Sequence, residues 1–258
     1  MAKNPTSTIR FLGPINFEVY NYNPFTSQQP PDTPDVFKDA LTVREAVFVK
    51  EQGVPAEMEL DADDARSCHW VIYDQAPGHT EVVPVGTIRM VPFPHAPHPL
   101  PGSSWDADED SKACMETPRP PPYITDRATS LHDGLEPYIK LGRLAVLKEF
   151  RGRKLANLLV NTAIEWAEKH SDYFNPSPSR APSAGRDFEL DTYRTTWNGL
   201  ICVHAQERVV DSWAKWGFVV DNRMGKWTEA GIPHVGMFKR VYVSKTAADV
   251  LISNGVEP

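Results

Sequence analysis

Cysteine is scarce in this chain: three in 258 residues, at Cys68, Cys114 and Cys202. Three widely spaced thiols build neither a disulfide framework nor a zinc finger, and they fit a reducing compartment. No apolar run approaches the roughly 18 residues that a membrane-spanning helix needs. The opening residues, MAKNPTSTIR, lack the apolar stretch of a secretory signal, so a cytoplasmic protein is expected. A surplus of positive charge is also missing. Lysine and arginine total 27 against 34 aspartates and glutamates, a formal net charge of −7. That balance argues against general nucleic-acid binding and permits attraction of a cationic substrate. Neither a G-x-x-x-x-G-K-[ST] nucleotide loop nor a G-x-G-x-x-G dinucleotide fingerprint occurs.

What is present is ordinary globular material, 41% hydrophobic and 24% charged, enough for one domain over residues 1–258. Proline is abundant at 24 residues and concentrates in 24–34, 92–122 and 176–182. These clusters read as loops, and 92–136 and 171–196 as two Pro-rich insertions within the domain. The first carries His95 and His98. With no third ligand beside them in sequence they read as solvated loop histidines, and no metal site is expected.

The most informative stretch runs from Tyr138 to His170, YIKLGRLAVLKEFRGRKLANLLVNTAIEWAEKH. Residues 138–147 have the composition of a strand buried on both faces. Leu155, Leu158, Leu159, Ala163 and Trp166 follow the spacing of an amphipathic helix over 154–170. Between strand and helix lie Arg151, Arg153 and Lys154. A helix N-terminus already carries partial positive charge and unpaired N–H groups, so added cations there suit a bound phosphate. A solvated basic turn is the plainer alternative.

Elsewhere the pattern predicts a strand or two within 9–23, a helix over 36–52, and a hairpin from 69–73 and 82–91. Further along it predicts a strand over 200–205, a helix over 206–216, strands at 218–220 and 234–241, and a short helix over 246–253. Glu57, Glu59, Asp61, Asp63 and Asp64 crowd the segment after the first helix. This is either a solvated acidic turn or a cation-attracting lip of an active site. It lacks the glycine and terminal glutamate of a calcium loop.

Several segments resemble the GNAT N-acetyltransferase superfamily. Arg151-Gly152-Arg153-Lys154-Leu155-Ala156 is similar to its [QR]-x-x-G-x-[GA] acetyl-CoA loop, with Lys154 where the family has Gly. VFVKEQGVPAEMELD and EAGIPHVGM resemble the signatures of one branch. AQERVVDSWAKWGF is similar to a C-terminal family segment, with Gln206 in place of an Asn that contacts CoA and Trp213 in place of a Tyr. The resemblance implies an α/β fold with a mixed, partly splayed β-sheet flanked by helices. It also implies direct transfer of acetyl from acetyl-CoA to an amine, without an acyl-enzyme and without a metal. Leu144, Ala145 and Val146 would offer main-chain bonds to pantetheine, and the Val146 N–H would face the thioester carbonyl. Arg151, Gly152, Arg153, Lys154, Leu155, Ala156 and Gln206 complete the expected CoA set. Trp213 cannot act as the family's Tyr does, because an indole N–H is not acidic. Glu51, Glu59, His69 and His204 remain open as the base. The expected partner is a small-molecule amine, an amino sugar or arylalkylamine for preference, with no nucleic acid and no membrane. A protein N-acetyltransferase, a non-catalytic acyl-CoA-binding protein and a homodimeric assembly stay open.

Overall fold

The centre of the fold is the strand over Ile139–Val146, and both of its edges matter; it is not buried on both faces as expected, since Ile139, Leu141 and Ala145 are buried and its other residues half-buried. The computed structural model describes residues 7–15, 29–75, 80–105, 126–175 and 196–243. The expected strand within 16–23, the helix over 246–253, Cys114 and the middle of both insertions lie outside the described residues. Nine strands, among those residues, form one sheet: β1 (Thr8–Leu12), β2 (Cys68–Gln75), β3 (Val82–Val91), β4 (Ser104–Trp105), β5 (Ile139–Val146), β6 (Leu200–Gln206), β7 (Val219–Val220), β8 (Lys226–Glu229) and β9 (Ile232–Arg240). Their order is β1-β2-β3-β5-β6-β9-β8-β4, with β7 also paired to β9. The β5–β6 and β4–β8 pairs are parallel and the others antiparallel, so the sheet is mixed.

Among the described residues, four α-helices cover the sheet: α1 (Asp35–Arg44), α2 (Asp63–Arg66), α3 (Leu155–Lys169) and α4 (Val210–Lys215). Of the face predicted for α3, Leu155, Leu159 and Ala163 are buried in the main core with Trp70, Ile88, Leu141, Val203 and Trp213, Trp166 is partly buried against it, and Leu158 is 42% exposed, with Val160 buried in its place. On the opposite face, α1 lays Ala40 on Val71 and Tyr73, and Val43 with Val47 on Ala145. The rest of that face carries Tyr138, Cys202, Trp227 and Phe238. It is covered in part by the ends of the first insertion, whose His95 and His98 rings stack on Tyr138.

Local departures from the expected elements have local causes. The helix expected over 36–52 is α-helical only to Arg44, and Glu45–Glu51 winds as a π-helix, with Gln52 N–H reaching Val47 O at 3.1 Å. Over so short a stretch, apolar spacing does not separate the two windings. The helix expected over 206–216 begins as a 3₁₀ turn at Glu207–Val209. Strand β8 was not expected. It pairs with β9 through a two-residue turn, Ala230-Gly231, with φ of 49° and 73°. Two positive φ values are the geometry of a tight hairpin, but Ala-Gly lacks the usual Asn-Gly or Asp-Gly signal. Strand β4 lies inside the segment read as an irregular insertion, and two residues are too few to show a period.

Candidate active site

Strand β5 contains an irregularity that opens the sheet. Its pairing with β3 slips between Thr87↔Ala145 and Arg89↔Gly142, so Arg143 and Leu144 face one residue, Ile88. Arg143 sits at φ 49°, and the step is a β-bulge, which bends and twists the strand. Pairing with β6 stops at Leu141↔Val203. Beyond that point residues 142–146 and 204–206 diverge, leaving two strand edges without their partner.

The direction of the main-chain groups follows from the ladder. Leu147 N–H donates to Val85 O on β3 at 2.9 Å. Alternation then turns the Ala145 N–H and C=O toward β3 as well, and the Val146 N–H toward the gap. Of the three residues expected to offer main-chain bonds, Val146 therefore presents its N–H to the open edge, Leu144 lies in the bulge, and Ala145 is committed to β3. The Ala145 side chain is packed against α1.

From Val146 the chain runs through a 3₁₀ turn, Lys148–Phe150, into Arg151, Gly152, Arg153 and Lys154. No side chain caps α3, whose first residues are Leu155 and Ala156. Gly152 has φ 79° and open space where a Cβ would stand, so the glycine serves backbone conformation rather than room. Lys154 has φ 63°. That left-handed conformation costs a residue with a Cβ about 1–2 kcal/mol, which accounts for a glycine preference at this position. Arg151 Nε–H donates to Val146 O at 2.9 Å, and its guanidinium holds Glu51 through two bonds of 2.7 Å. Arg153 lies over the Phe150 ring and 3.4 Å from Asp74.

The π-helical turn bridges the two arms of the gap. Glu51 holds Arg151 beyond the end of β5, and the Gln52 amide accepts from Gln206 Nε2 at 2.8 Å at the end of β6. Glu51 is thus beside the cleft as expected. Its hydrogen bonds from Arg151 hold its carboxyl below the usual range, which makes it a poor proton acceptor.

The acidic stretch is not simply a solvated turn: its centre is an internal ion-pair network. Asp64 and Glu59 are buried, at 0% and 3% exposure. Buried Arg44 of α1 donates to Asp64 at 2.6 and 3.1 Å, to Glu59 O at 2.7 Å and to the Glu59 carboxylate. Arg89 grips Asp61 at 2.6 and 2.9 Å and lies 2.8 Å from Asp64. Arg143, in the bulge, reaches Asp61 at 3.1 Å and Glu59 O at 3.0 Å. Three arginines distant in sequence hold Glu59, Asp61 and Asp64, Arg66 holds Asp63 at 2.7 Å, and Glu57 is exposed. Glu59, a candidate base, is locked in this network.

His69 is buried with it. Its Nε2–H donates to Asp64 O at 2.8 Å, and its ring meets Phe37 edge-on at 5.2 Å. It stands on β2, with β3 and β5 between it and β6. Trp213 is 5% exposed and packs edge-on against Trp216 and Phe218, as core. Cys68 and Cys202 are free and buried, and burial pushes both thiols up to about 12, far from thiolate.

His204 stands on β6 at the first position past the last β5 pair. Its Nδ1–H donates to Glu229 Oε1 at 3.2 Å, and Glu229 also accepts from Trp227 Nε1–H at 2.6 Å. The Nε2 of His204 is buried and without a partner. Burial, then the Lys140 charge, push His204 down to about 4, so its ring is neutral near pH 7. Glu229, against burial, is held well below the usual carboxylate range by His204. A carboxylate orienting an imidazole whose far nitrogen is free is the arrangement of a general base. The sequence pointed to His204 but not to Glu229, whose place depends on the unexpected hairpin.

The expectation of solvated histidines in the first insertion is also corrected. His95 Nε2 bonds Tyr138 O at 2.8 Å, and His98 is 3% exposed beside Asp126 and His132, 28 and 34 residues later.

These shifts predict acid sensitivity. His69 and His204 are held near 4, against about 6.5 when unfolded. Their neutral burial is fully tolerated above about pH 6.5 and loses stability as pH falls toward 4. Asp61 and Asp64 are held low by the arginine charges against burial, so their contribution is present above about pH 3.9 and lost below it. The Tm is expected to be level above about pH 7, to fall from about 6.5 to 4, and to fall again below that. Scanning calorimetry across this range checks it; a Tm level down to pH 4 contradicts the neutral burial of the histidines.

Against known proteins, the chain matches the family described as "Acetyltransferase (GNAT) family" over residues 35–176. A curated relative, the uncharacterized N-acetyltransferase YjcF of Bacillus subtilis (strain 168), is 62% identical over 37 residues, 14% of this chain. The match spans 26% of that relative's length. Similar solved structures include a putative N-acetyltransferase from Lactobacillus plantarum, 20% identical with a TM-score of 0.48, covering 91% of this chain and 97% of that one. Escherichia coli ElaA is 17% identical with a TM-score of 0.48, covering 91% and 100%. No helix among the described residues is long and apolar enough to cross a membrane.

Proposed function

We propose, from the premise that this chain belongs to the GNAT acetyltransferase family, that it transfers acetyl from acetyl-CoA directly to a primary amine of a small molecule. One observation carries the reading. The open edges of β5 and β6 beyond Leu141 and Val203 lead straight into the uncapped, cation-flanked N-terminus of α3. An open strand edge accepts an extended amide chain such as pantetheine, and a helix N-terminus accepts its pyrophosphate. The donor would lie along Leu144 and Val146, with phosphates at Gly152, Arg153, Lys154, Leu155 and Ala156. Gln206 and Arg151 border the mouth.

The amine lone pair attacks the thioester carbonyl, and its carbon–oxygen π electrons move to oxygen. The Val146 N–H is aimed where that oxyanion would form, and such a donor is worth about 10²–10³ in rate. His204 Nε2 takes the ammonium proton, oriented by Glu229. The tetrahedral centre then collapses, the carbon–sulfur bond breaks, and the thiolate leaves with the bonding pair. A thiol of pKa about 8.5 lies only ~2 kcal/mol from protonation balance at neutral pH, so water suffices where Trp213 does not help.

The acceptor preference rests on basicity. A lysine-like amine costs about 4 kcal/mol to deprotonate near pH 7.5, whereas one of pKa about 7.7–8.0 costs well under 1 kcal/mol. A base held near 4 is weak, which favours an amino sugar over lysine side chains; an arylalkylamine is nearly as basic as lysine, so basicity does not favour it. The test is thiol release from acetyl-CoA with glucosamine, its 6-phosphate, polyamines, arylalkylamines and N-terminal peptides. Release only with small amines supports the reading. Preference for peptides favours a protein N-acetyltransferase, and tight acetyl-CoA binding without release favours a non-catalytic binder.

The loop carries its own prediction. Arg151→Glu with Arg153→Glu is expected to weaken acetyl-CoA binding about ten-fold or more, ~1.4 kcal/mol. Calorimetry reads it directly, and unchanged affinity removes the phosphates from this loop.

A further inference from the structure

We propose that His98, Asp126 and His132 form a Zn²⁺ site that pins together the two ends of the 92–136 insertion. Three potential ligand atoms, one from each residue, lie within 4.8 Å of one another. His98 Nε2 is 3.1 Å from His132 Nδ1 and 3.5 Å from Asp126 Oδ2. A tetrahedral zinc with bonds of about 2.0–2.1 Å sets its ligand atoms about 3.3–3.4 Å apart. The two measured edges fall on either side of that value.

The surroundings hold His132 and Asp126 in ligating form, while His98 carries on Nε2 the proton it shares with His132 Nδ1 and would give up that position to an ion. His132 Nε2–H donates to Glu136 O at 2.9 Å, which leaves the lone pair on Nδ1, the nitrogen aimed at His98. Such an outer hydrogen bond is the usual partner of a metal-bound imidazole. Asp126 Oδ2 accepts the His98 backbone N–H at 2.7 Å, and its Oδ1 accepts the Arg127 N–H at 2.7 Å. The His98 ring lies on Tyr138 at 5.3 Å and meets Phe238 edge-on at 5.7 Å, so its rotation is restricted.

The frame beneath is equally built. Arg127 donates to the carbonyls of Pro99, Arg223 and Met224. Buried Asp221 accepts from Thr129 Oγ1 at 2.6 Å and from the N–H groups of Ser130 and Leu131 at 3.0 and 2.7 Å. Ligands positioned before the ion arrives are the requirement for a tight site.

A hydrogen-bond chain alone explains less. It accounts for the His98–His132 contact, and the two Asp126 oxygens accept the N–H groups of His98 and Arg127, but it does not account for a third ligand atom converging to 3.5 Å from His98 Nε2. A cation accounts for all three atoms at once. Zinc on His98 Nε2 would move that ring's proton to Nδ1, which is buried without an acceptor, a cost the metal bonds must offset. Two imidazoles and one carboxylate suit zinc better than magnesium or calcium, which prefer all-oxygen sets. A cavity of about 30 Å³, lined in part by His95, Asp126, His132 and Glu136, adjoins the site and has room for water as the fourth ligand. The role is structural: residues 98 and 126–132 flank the middle of the insertion, and one ion would close it.

The experiment uses the full chain, stripped with a chelator and titrated with ZnCl₂ by calorimetry, with Co²⁺ absorption as a geometric probe. One ion per chain and a tetrahedral Co²⁺ band are expected, with a higher Tm when zinc is present. His98→Ala and His132→Ala are expected to lose binding by about 100-fold or more. Asp126→Asn keeps an acceptor for the His98 N–H and so tests ligation without removing that tie; it is expected to weaken zinc about ten-fold or more at near-native stability of the metal-free protein. No stoichiometric uptake by the folded chain overturns the site. So does uptake whose affinity is the same in Asp126→Asn, which would put the ion elsewhere.

Discussion

Arg44→Ala is expected to destabilise the protein by about 3–5 kcal/mol, the largest single-residue effect we anticipate on folding. Arg44 is fully buried, and its guanidinium satisfies Asp64 twice and Glu59 at both carboxylate and carbonyl. Burial disfavours its charge, but Asp64 and Glu59 more than compensate and raise its pKa. Truncation leaves two buried carboxylates with Arg89 and Arg143 as their remaining cations. The cost is that of stranded charge, which exceeds the net worth of the intact pairs. Arg44→Lys keeps the charge but not the fork that bridges two acids, so it is expected to fall between wild type and alanine. Urea denaturation with an unchanged m-value gives the difference. A loss below about 1 kcal/mol would mean the network is solvated and weak.

The second large effect concerns turnover. His204→Gln is expected to lower kcat by about 10²–10⁴ while leaving the Kd for acetyl-CoA unchanged, because it removes the proton acceptor and not the donor-binding edge. Glu229→Gln is the more diagnostic change. Its amide keeps the shape and an acceptor for Trp227, but the negative charge that raises His204 is lost. His204 then falls further below 4 and becomes a weaker base, so kcat is expected to drop with KM for acetyl-CoA unaltered. The loss should shrink for amines of lower pKa, which need less help. A folded His204→Gln enzyme with wild-type kcat for every amine would show that the acceptor arrives already deprotonated and that the dyad only packs.

Much of the scaffold was readable in advance because it is written locally. The apolar run at 138–147 and the period of 155–167 each report burial through nearest neighbours on one element, and both elements lie within two residues of where the pattern put them. The same holds for β2, β3, β6 and β9. What failed were elements too short to have a period, such as β4 and the Ala230-Gly231 hairpin, and windings that spacing cannot tell apart, as at Glu45–Glu51.

For the site, sequence alone determined the chemistry on offer: a basic turn after a buried strand, a resemblance to an acyl-CoA family, and four candidate bases. The tertiary structure gives the four different surroundings, and the base proposed above rests on those. Glu51 is held by Arg151 and Glu59 by Arg44, while His69 also keeps one unpartnered nitrogen but bonds a backbone carbonyl, Asp64 O, through the other. His204 alone combines an orienting carboxylate with an unpartnered nitrogen. The acidic stretch shows the reason most plainly. A carboxylate has the same letter whether it meets water, a substrate or a buried guanidinium, and Arg44, Arg89 and Arg143 reach it from three separate elements. Charge is a property of the residue, but its free energy depends on what surrounds it, and the surroundings are assembled by the fold.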